Sequence, residues 1–325
     1  MKVLVTGGTG YIGSHVVRAL AERKHRPVIL DDLSASSAKR AGEFPLERVT
    51  LADVPAVVDV FRRRKPDAVV HLAGLISVAV SLTQAERYWN VNLGGGASLL
   101  LGAQAIAGAK GRGVRAFVFS STANVYGRGS GKPITDRTPV EPLTPYGQSK
   151  LAFERLLHAS SAPIGFRSTA LRYFNAAGCN LAWGVGEAHE PEEHILPRAI
   201  RLLAAGEPVT VYGTDYPTPD GTCIRDYIHV EDLASAHVAV LEAKRGLAPA
   251  ASLNVATGRG CSVLELVTRV AAELGVKPRI ERLPRRAGDP VVLVARPSPA
   301  LKRLGWGPRH GLDEIVRSAV AWEMG

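Results

Sequence analysis

Lys2-Val3-Leu4-Val5-Thr6-Gly7-Gly8-Thr9-Gly10-Tyr11-Ile12-Gly13 opens the chain, and its reading decides the fold. An apolar run of strand length feeds a glycine-rich turn, and a helix-periodic stretch over 12–23 leaves it. Gly7, Gly10 and Gly13 fall in the pattern G-x-x-G-x-x-G, one residue wider than the commoner G-x-G-x-x-G. Glycine there permits a tight turn, close approach of the backbone to a pyrophosphate and packing of helix on strand, with amide groups aimed at the anion. Asp31 and Asp32 end the second strand-like run, about 20 residues beyond the turn, where an acid accepts hydrogen bonds from ribose hydroxyls. A carboxylate at that place repels a 2′-phosphate, so the dinucleotide expected is NAD rather than NADP. Asp53 has two readings, an acceptor for the adenine amino group or the N-cap of a helix beginning at Val54.

Outward from this turn, strand and helix patterns alternate as far as residue 172. Strands are expected at 2–6, 27–30, 48–51, 68–72, 116–120 and 168–171, with helices over 12–23, 54–64, 84–109 and 145–158. The alternation predicts an α/β fold with a doubly wound parallel sheet of the Rossmann type. Gly94-Gly95-Gly96 falls inside the third helix. Each glycine costs about 1 kcal/mol relative to alanine, so the run signals either close backbone packing or a break. From about Asn175 the texture turns loop-rich, with helices near 195–205, 231–243, 263–274 and 312–322 and a strand over 227–230. The expected organisation is a dinucleotide-binding domain over 1–175 and a smaller mixed α/β lobe over 176–325 for the substrate, part of 223–258 returning to the first domain.

Composition narrows the function classes. With 325 residues, 46% hydrophobic and 22% charged, the chain has ample core for an ordinary globular protein. No apolar run reaches the roughly 18 residues of a membrane span, and a strand starting at residue 2 leaves no room for a signal peptide. Cys179, Cys223 and Cys261 are odd in number and widely spaced. They offer neither a disulfide framework nor metal-ligand spacing, so a reducing compartment, the cytoplasm, is expected and no metal is. A net charge of +10 raises the question of nucleic acid. The basic residues are scattered, however, and the short clusters Arg62-Arg63-Arg64-Lys65 and Arg285-Arg286 lack interleaved stacking aromatics. Neither nucleic acid nor membrane is an expected partner.

Chemistry enters with Tyr146-Gly147-Gln148-Ser149-Lys150. Positions four apart share a helix face, which sets the ammonium of Lys150 beside the phenol of Tyr146. A free tyrosine titrates near roughly pH 10, and a neighbouring cation favours the phenolate. Tyr146 is therefore a candidate proton carrier. Ser120-Ser121-Thr122-Ala123-Asn124-Val125-Tyr126-Gly127 follows the fifth strand, at the carboxyl edge where such sheets bind ligands. The Thr122 hydroxyl can there share a hydrogen bond with a substrate oxygen and with Tyr146. Beside a dinucleotide turn, these three residues point to redox chemistry on an alcohol.

The chain resembles the extended short-chain dehydrogenase/reductase family, and within it the UDP-glucose 4-epimerases. The likeness runs through the glycine turn, His71-Leu72-Ala73-Gly74-Leu75, Asn90-Val91, the threonine segment and the tyrosine–lysine pair. It continues through Leu171-Arg172-Tyr173-Phe174-Asn175-Ala176-Ala177-Gly178, Glu193-His194-Ile195-Leu196-Pro197 and Tyr212-Gly213-Thr214-Asp215-Tyr216. Its most specific run is Asp220-Gly221-Thr222-Cys223-Ile224-Arg225-Asp226-Tyr227-Ile228-His229-Val230, and Arg285-Arg286-Ala287-Gly288-Asp289 closes it.

The resemblance implies Thr122, Tyr146 and Lys150 as catalytic residues, Lys150 lowering the tyrosine pKa and binding the nicotinamide ribose. It implies that Gly7, Gly10, Tyr11, Ile12, Gly13, Asp31, Asp32, Asp53, Val54, Leu72, Ala73, Gly74, Asn90, Tyr146, Lys150 and Tyr173 hold NAD. Thr122, Asn175, His194, Arg225, Tyr227, Arg286 and Asp289 would hold the UDP-sugar. Arginine forks match phosphate oxygens, which suits the last set. The implied reaction is redox-neutral: Tyr146 takes the proton of the 4-hydroxyl, hydride passes to NAD, and the 4-keto sugar turns about its UDP anchor before hydride returns to the other face. A homodimer, built from helices near 93–109 and 146–158, is also implied.

Several positions depart from the family. Ile76 stands where many members carry a lysine reaching the cofactor phosphates, which bears on how tightly NAD is kept. Leu93 replaces a usual glycine and Arg296 a usual aspartate. Leu293 falls where a gatekeeper tunes sugar size, and its intermediate bulk leaves N-acetylated sugars undecided; a 4-epimerase of UDP-N-acetylhexosamine, or of a pentose or uronic acid, stays open. A nucleotide-sugar dehydratase on this scaffold would carry an acid after the catalytic threonine, whereas Ala123 and Asn124 cannot transfer a proton. A non-catalytic NAD-binding protein would be expected to lack the tyrosine or the lysine.

Overall fold

The computed structural model describes residues 1–108, 113–128, 133–189, 191–286 and 289–325. The chain begins β1 (Lys2–Thr6), α1 (Tyr11–Glu22), β2 (Arg26–Leu30), β3 (Leu46–Glu47), α2 (Val54–Arg64) and β4 (Ala68–His71). Then come α3 (Val78–Thr83), α4 (Ala85–Tyr88), a wide π turn (Trp89–Gly94), α5 (Gly95–Ala105), β5 (Ala116–Thr122), a 3-10 turn (Ala123–Tyr126), α6 (Pro145–Ile164) and β6 (Arg167–Tyr173). The rest reads β7 (Asn175–Ala177), α7 (Ile195–Ala204), β8 (Val209–Tyr212), β9 (Ile224–His229), α8 (Val230–Glu242) and β10 (Ala250–Val255). It ends with β11 (Gly260–Ser262), α9 (Val263–Glu273), β12 (Ile280–Leu283), β13 (Val292–Leu293), α10 (Pro299–Arg303) and α11 (Leu312–Met324).

Seven strands form one sheet in the order β10-β6-β5-β4-β1-β2-β3, each neighbouring pair parallel. Successive side chains of a strand point to opposite faces. Val3 and Val5 accordingly enter a core with Val16, Val17 and Leu20 of α1 and with Leu233 and Val240 of α8. Leu4 enters the opposite core, with Val57 and Phe61 of α2, Leu99 of α5 and Phe153 and Leu157 of α6. Burial on both faces explains why β1 and β4 read as continuous apolar runs. The chain goes from β1 to β2 on one side and returns to β4 on the other, which opens a crevice at the carboxyl edge between them.

The doubly wound α/β expectation holds, with differences in detail. The third strand is Leu46–Glu47 rather than 48–51, because the Val49 N–H folds back onto the Glu47 carbonyl at 3.1 Å and turns the chain out of the sheet. The helix expected over 84–109 starts earlier, at a Ser77 cap, and is segmented into α3, α4, the π turn and α5; Ala109 lies outside the described residues. Both meanings of the glycine run apply. Gly94 closes the π turn, while a Cβ on Gly96 would sit 2.4 Å from the Phe153 ring, and one on Gly102 would sit 2.3 Å from Phe61. Helix α6 runs past 158 to Ile164 and stops at Gly165, whose φ of 94° is left-handed.

Beyond β6, a smaller sheet of β11-β9-β13 with β7 on β9, and the pair β8-β12, pack with α7, α9 and α11 around Leu196, Ile200, Val267, Val270 and Ile315. The strand expected at 227–230 starts earlier, at Ile224, and Val230 already belongs to α8. No helix among the described residues is long and apolar enough to cross a membrane.

Candidate active site

The glycine turn is stitched to the end of β4. Leu72 and Ala73 both donate backbone N–H groups to the Thr6 carbonyl, at 3.1 and 3.2 Å. Gly7 has φ +68°, and a Cβ there would sit 2.6 Å from the Ala73 nitrogen; one on Gly13 would sit 1.9 Å from the Gly7 oxygen. Leu72 and Ala73 therefore pass directly over the turn, and Gly74 lies next to Asn92 Oδ1 and the Lys150 ammonium. Gly10 caps α1 without a side chain, and the first helical turn, Tyr11, Ile12 and Gly13, carries no acid. Its leading N–H groups remain for an anion. This uncapped cradle, too tight for any side chain, fits a dinucleotide pyrophosphate.

Asp31 braces the turn, accepting from Thr9 N–H at 3.1 Å and Leu33 N–H at 3.0 Å, whereas Asp32 is exposed and accepts from Ser34 N–H at 2.9 Å. Asp53 does cap α2 ahead of Val54, accepting from Ala56 N–H at 3.0 Å. Asn90 is exposed in the π turn. Its neighbour Asn92, which the sequence reading passed over, is buried and clips the Gly74-Leu75 turn: Oδ1 accepts from Leu75 N–H at 2.8 Å, and Nδ2 donates to Leu75 O and to Ser149 Oγ. Arg40 was also missed. It donates to Thr9 O at 2.7 Å and Gly186 O at 2.8 Å, and Tyr11 donates to Gly178 O at 2.6 Å, so both tie the turn to the smaller lobe.

Helix α6 starts at a Thr144 cap with Pro145 in its first turn. Gly147 lets that turn approach the 3-10 turn after β5, since a Cβ there would sit 2.9 Å from Asn124 O. The approach brings Tyr146 to Thr122, whose hydroxyl accepts from Asn124 N–H at 3.2 Å and lies close enough to the phenol to draw its pKa down. Tyr146 is buried, with the Tyr88 ring edge-on at 6.3 Å. Burial outweighs that hydroxyl and pushes the phenol up to about 12. Lys150 is also buried; its ammonium donates to Ser120 O at 3.1 Å and lies 5.0 Å from the Phe119 ring centre. Burial brings it down to about 8, Glu154 acting in the opposite sense. The sequence expectation that the lysine holds the tyrosine below its usual pKa is reversed here, because exclusion of water disfavours the charged form of both groups. Tyr173, half-buried at the end of β6, is likewise raised by burial.

Behind this pair lies a polar network with no signal in the sequence. Glu154, one turn past Lys150, accepts from Arg172 Nη2 at 2.6 Å and from Ser121 Oγ, and both charged side chains are almost fully buried. Arg172 also donates to the Tyr126 hydroxyl, which donates to Asn254 Oδ1 at 2.7 Å. Helix α6 is thereby locked to β5, β6 and β10.

A cleft of about 1250 Å³ lies at the carboxyl edge, and its lining includes Asn175, His194, Arg225, Tyr227, Arg286 and Asp289. Asn175 donates to Asp226 O at 2.9 Å. Arg225 is pinned by Pro290 O at 2.8 Å, with Asp289 at 3.6 Å. The Tyr227 hydroxyl is buried with no partner among the described residues, which leaves it for a ligand. Arg286 lies 3.8 Å from the Tyr212 ring centre; Ala287 and Gly288 fall outside the described residues. His194 stands before α7. Burial lowers its pKa, but the hydrogen bond to Glu192 and the nearby acids outweigh that and raise it. Among the departures, Ile76 and Leu293 line the cleft, Leu93 packs in the core beside α5, and the Arg296 N–H pairs with Ile134 O.

A turn of this shape beside a buried tyrosine–lysine pair belongs to nucleotide-dependent redox enzymes. The chain is a member of the NAD dependent epimerase/dehydratase family, whose model matches residues 3–256. It is 43% identical to a UDP-glucose 4-epimerase of Azospirillum brasilense, over 99% of this chain and 92% of that one. It is also similar to the crystal structure of UDP-glucose 4-epimerase from Brucella ovis in complex with NAD, at 38% identity and a TM-score of 0.91, covering 98% and 97% of the two chains. The Bifidobacterium longum UDP-glucose 4-epimerase in complex with NAD+ and UDP matches at 33% identity and a TM-score of 0.89, covering 100% and 98%. The family resemblance read from the sequence is borne out.

Proposed function

We propose that the protein is a redox-neutral 4-epimerase that interconverts UDP-glucose and UDP-galactose through a transient 4-keto sugar, with NAD as cofactor. The observation that carries this is the burial of Thr122, Tyr146 and Lys150 at the carboxyl edge of the sheet, with Arg225 pinned in the wall of the adjoining cleft. The glycine turn with Tyr11 and Ile12, Asp31, Asp32, Asp53, Val54, Leu72, Ala73, Gly74, Asn90, Tyr146, Lys150 and Tyr173 would hold the dinucleotide. Bound NAD supplies reversible hydride acceptance from sugar carbon 4 and a positive charge in a dry site, where a cation stabilises phenolate.

Tyr146 takes and returns the proton at sugar O4, and Thr122 orients that oxygen by a shared hydrogen bond. Asn175, Arg225, Tyr227, Arg286 and Asp289 would hold the uridine diphosphate, with His194 also on the side of the UDP-sugar. Binding energy placed on that remote group lets the sugar ring stay loose enough to turn. Ala123 and Asn124 offer no acid for eliminating water, which disfavours dehydration.

The division of labour follows the sheets: residues 1–175 with the returning stretch within 223–258 serve the cofactor, and the rest of 176–325 serves the UDP-sugar. Membership of β10 in the large sheet supports it. Exposed Leu101 on α5 and Leu156 on α6 support a homodimer built on those helices. Free thiols at Cys179, Cys223 and Cys261 suit the cytoplasm, and galactose metabolism is the pathway such an activity serves.

Turnover in heavy water tests the reading. Hydride kept within the site predicts products with ordinary hydrogen at carbon 4; solvent deuterium there would mean a different chemistry.

A further inference from the structure

Glu187-x-His189-x-x-Glu192-x-His194 is a spacing that a reading centred on the cysteines passed over. In the loop between β7 and α7, one ligand atom from each of these four side chains lies within 4.8 Å of the other three. We propose that this cluster binds a divalent transition-metal cation of the zinc or manganese class at the rim of the cleft. The cluster shares His194 with the residues proposed for the UDP-sugar, but its test reads metal content and does not depend on the epimerase reading.

The donor set suits such an ion. Imidazole nitrogens and carboxylate oxygens together favour borderline first-row dications, and two glutamates offset the charge. Backbone groups already serve one oxygen of each glutamate. Glu187 Oε1 accepts from Ala188 N–H at 2.9 Å and His189 N–H at 3.2 Å, and Glu192 Oε1 accepts from His194 N–H at 2.7 Å.

The remaining oxygen of Glu192 carries the argument. The side chain is 2% exposed, and Oε2 has no hydrogen-bond partner among the described residues. A buried carboxylate oxygen without a donor is costly, so something cationic belongs beside it. The histidines point the same way. His189 Nδ1 lies 2.5 Å from Glu187 Oε1, and His194 Nδ1 lies 2.7 Å from Glu192 Oε1 and 3.9 Å from Glu187 Oε2. Such contacts need a proton on each nitrogen or a cation among the four groups. Among the described residues His189 Nδ1 has no hydrogen-bond geometry to any acceptor and Glu192 Oε2 has no donor, so protons alone leave both unsatisfied, whereas a metal ion can take all four groups.

The loop is anchored for the purpose. Trp322 Nε1 donates to Glu187 O at 2.6 Å, and Arg40 holds Gly186 O. His194 is 47% exposed, and Glu187, His189 and His194 all line the cleft. The cluster therefore opens toward the cleft.

The test is metal content and affinity rather than turnover. Full-length protein is stripped with a chelator, and Zn2+, then Mn2+, is titrated in by calorimetry, with Co2+ absorption reporting nitrogen and oxygen ligation. One ion per chain is expected, with binding weakened at least about 10–100-fold in H189N and in E192Q/H189N. Metal-free melting and circular dichroism establish that each variant is folded, and H189N alone serves if the double variant is not. Failure to bind near-stoichiometric metal at micromolar free ion would overturn the site, leaving an ion-paired glutamate–histidine cluster. Binding of equal strength in the folded variants would overturn it too.

Discussion

The ammonium of Lys150 donates to the carbonyl oxygen of Ser120 at 3.1 Å, one turn along α6 from the phenol of Tyr146. Ser120 lies two residues before Thr122 on β5. This one bond therefore fixes the spacing between the helix that carries the proton carrier and the strand end that orients the sugar oxygen. It also holds the lysine in a place without water, which sets the acid–base character of the site.

Replacing Tyr146 by Phe removes the group that moves the proton and little else, since the ring remains buried. Turnover should fall by about 10²–10⁴-fold, while calorimetry finds UDP affinity unchanged. Comparable turnover would place the proton transfer elsewhere.

Lys150 has a folded pKa of about 8 against an ordinary 10.5. Between those values the unfolded chain binds more protons than the folded one, so this group's contribution to stability rises with pH across the window. Its burial cost is fully present below pH 8 and relieved as pH approaches 10.5. Relative to K150M, the parent should gain up to about 3 kcal/mol over that range, read by urea unfolding at pH 7 and pH 10. K150M should also lose turnover while unfolding no more easily than the parent at pH 7. A pH-independent difference would mean that Lys150 is hydrated.

The Glu154–Arg172 pair is almost wholly buried, so removing one partner strands the other's charge. E154Q should cost about 3–5 kcal/mol, and a variant with both residues replaced by Met should recover much of that. Urea unfolding decides it; a loss within about 1 kcal/mol for E154Q would show the network to be wet.

Arg225 is held by Pro290 O and faces the cleft. A charged hydrogen bond contributes about 1.5–3 kcal/mol, so R225A should weaken UDP roughly ten- to hundred-fold. It should raise the substrate concentration needed more than it slows turnover at saturation. Unchanged UDP affinity would remove Arg225 from the site.

Local chemistry made much of this legible. Strand β1 and helix α2 have the bounds the pattern predicts, because an apolar run before glycines and an aspartate cap are local signals. Thr122, Tyr146 and Lys150 are legible from spacing and position; the fold sets Tyr146 beside Thr122 and ties Lys150 to Ser120 on the same strand. What escaped reading depends on partners distant in sequence. The third strand is cut short by a backbone contact at Val49, and the long helix is segmented at Gln84 and at the Trp89–Gly94 π turn, just before Gly96 admits the Phe153 ring. Asn92, Arg40 and the Glu154–Arg172 pair act through residues brought close only by the fold. The sign of the tyrosine's shift escaped for the same reason: spacing sets a cation near the phenol, but only the packed site excludes the water that would have let both be charged.

The most direct test of the central claim is a proton-NMR product assay on purified protein offered UDP-galactose with no dinucleotide added. The account predicts conversion to UDP-glucose by cofactor carried through purification, or, if Ile76 leaves NAD loosely held, conversion once NAD is supplied. No UDP-glucose even with added NAD would contradict it.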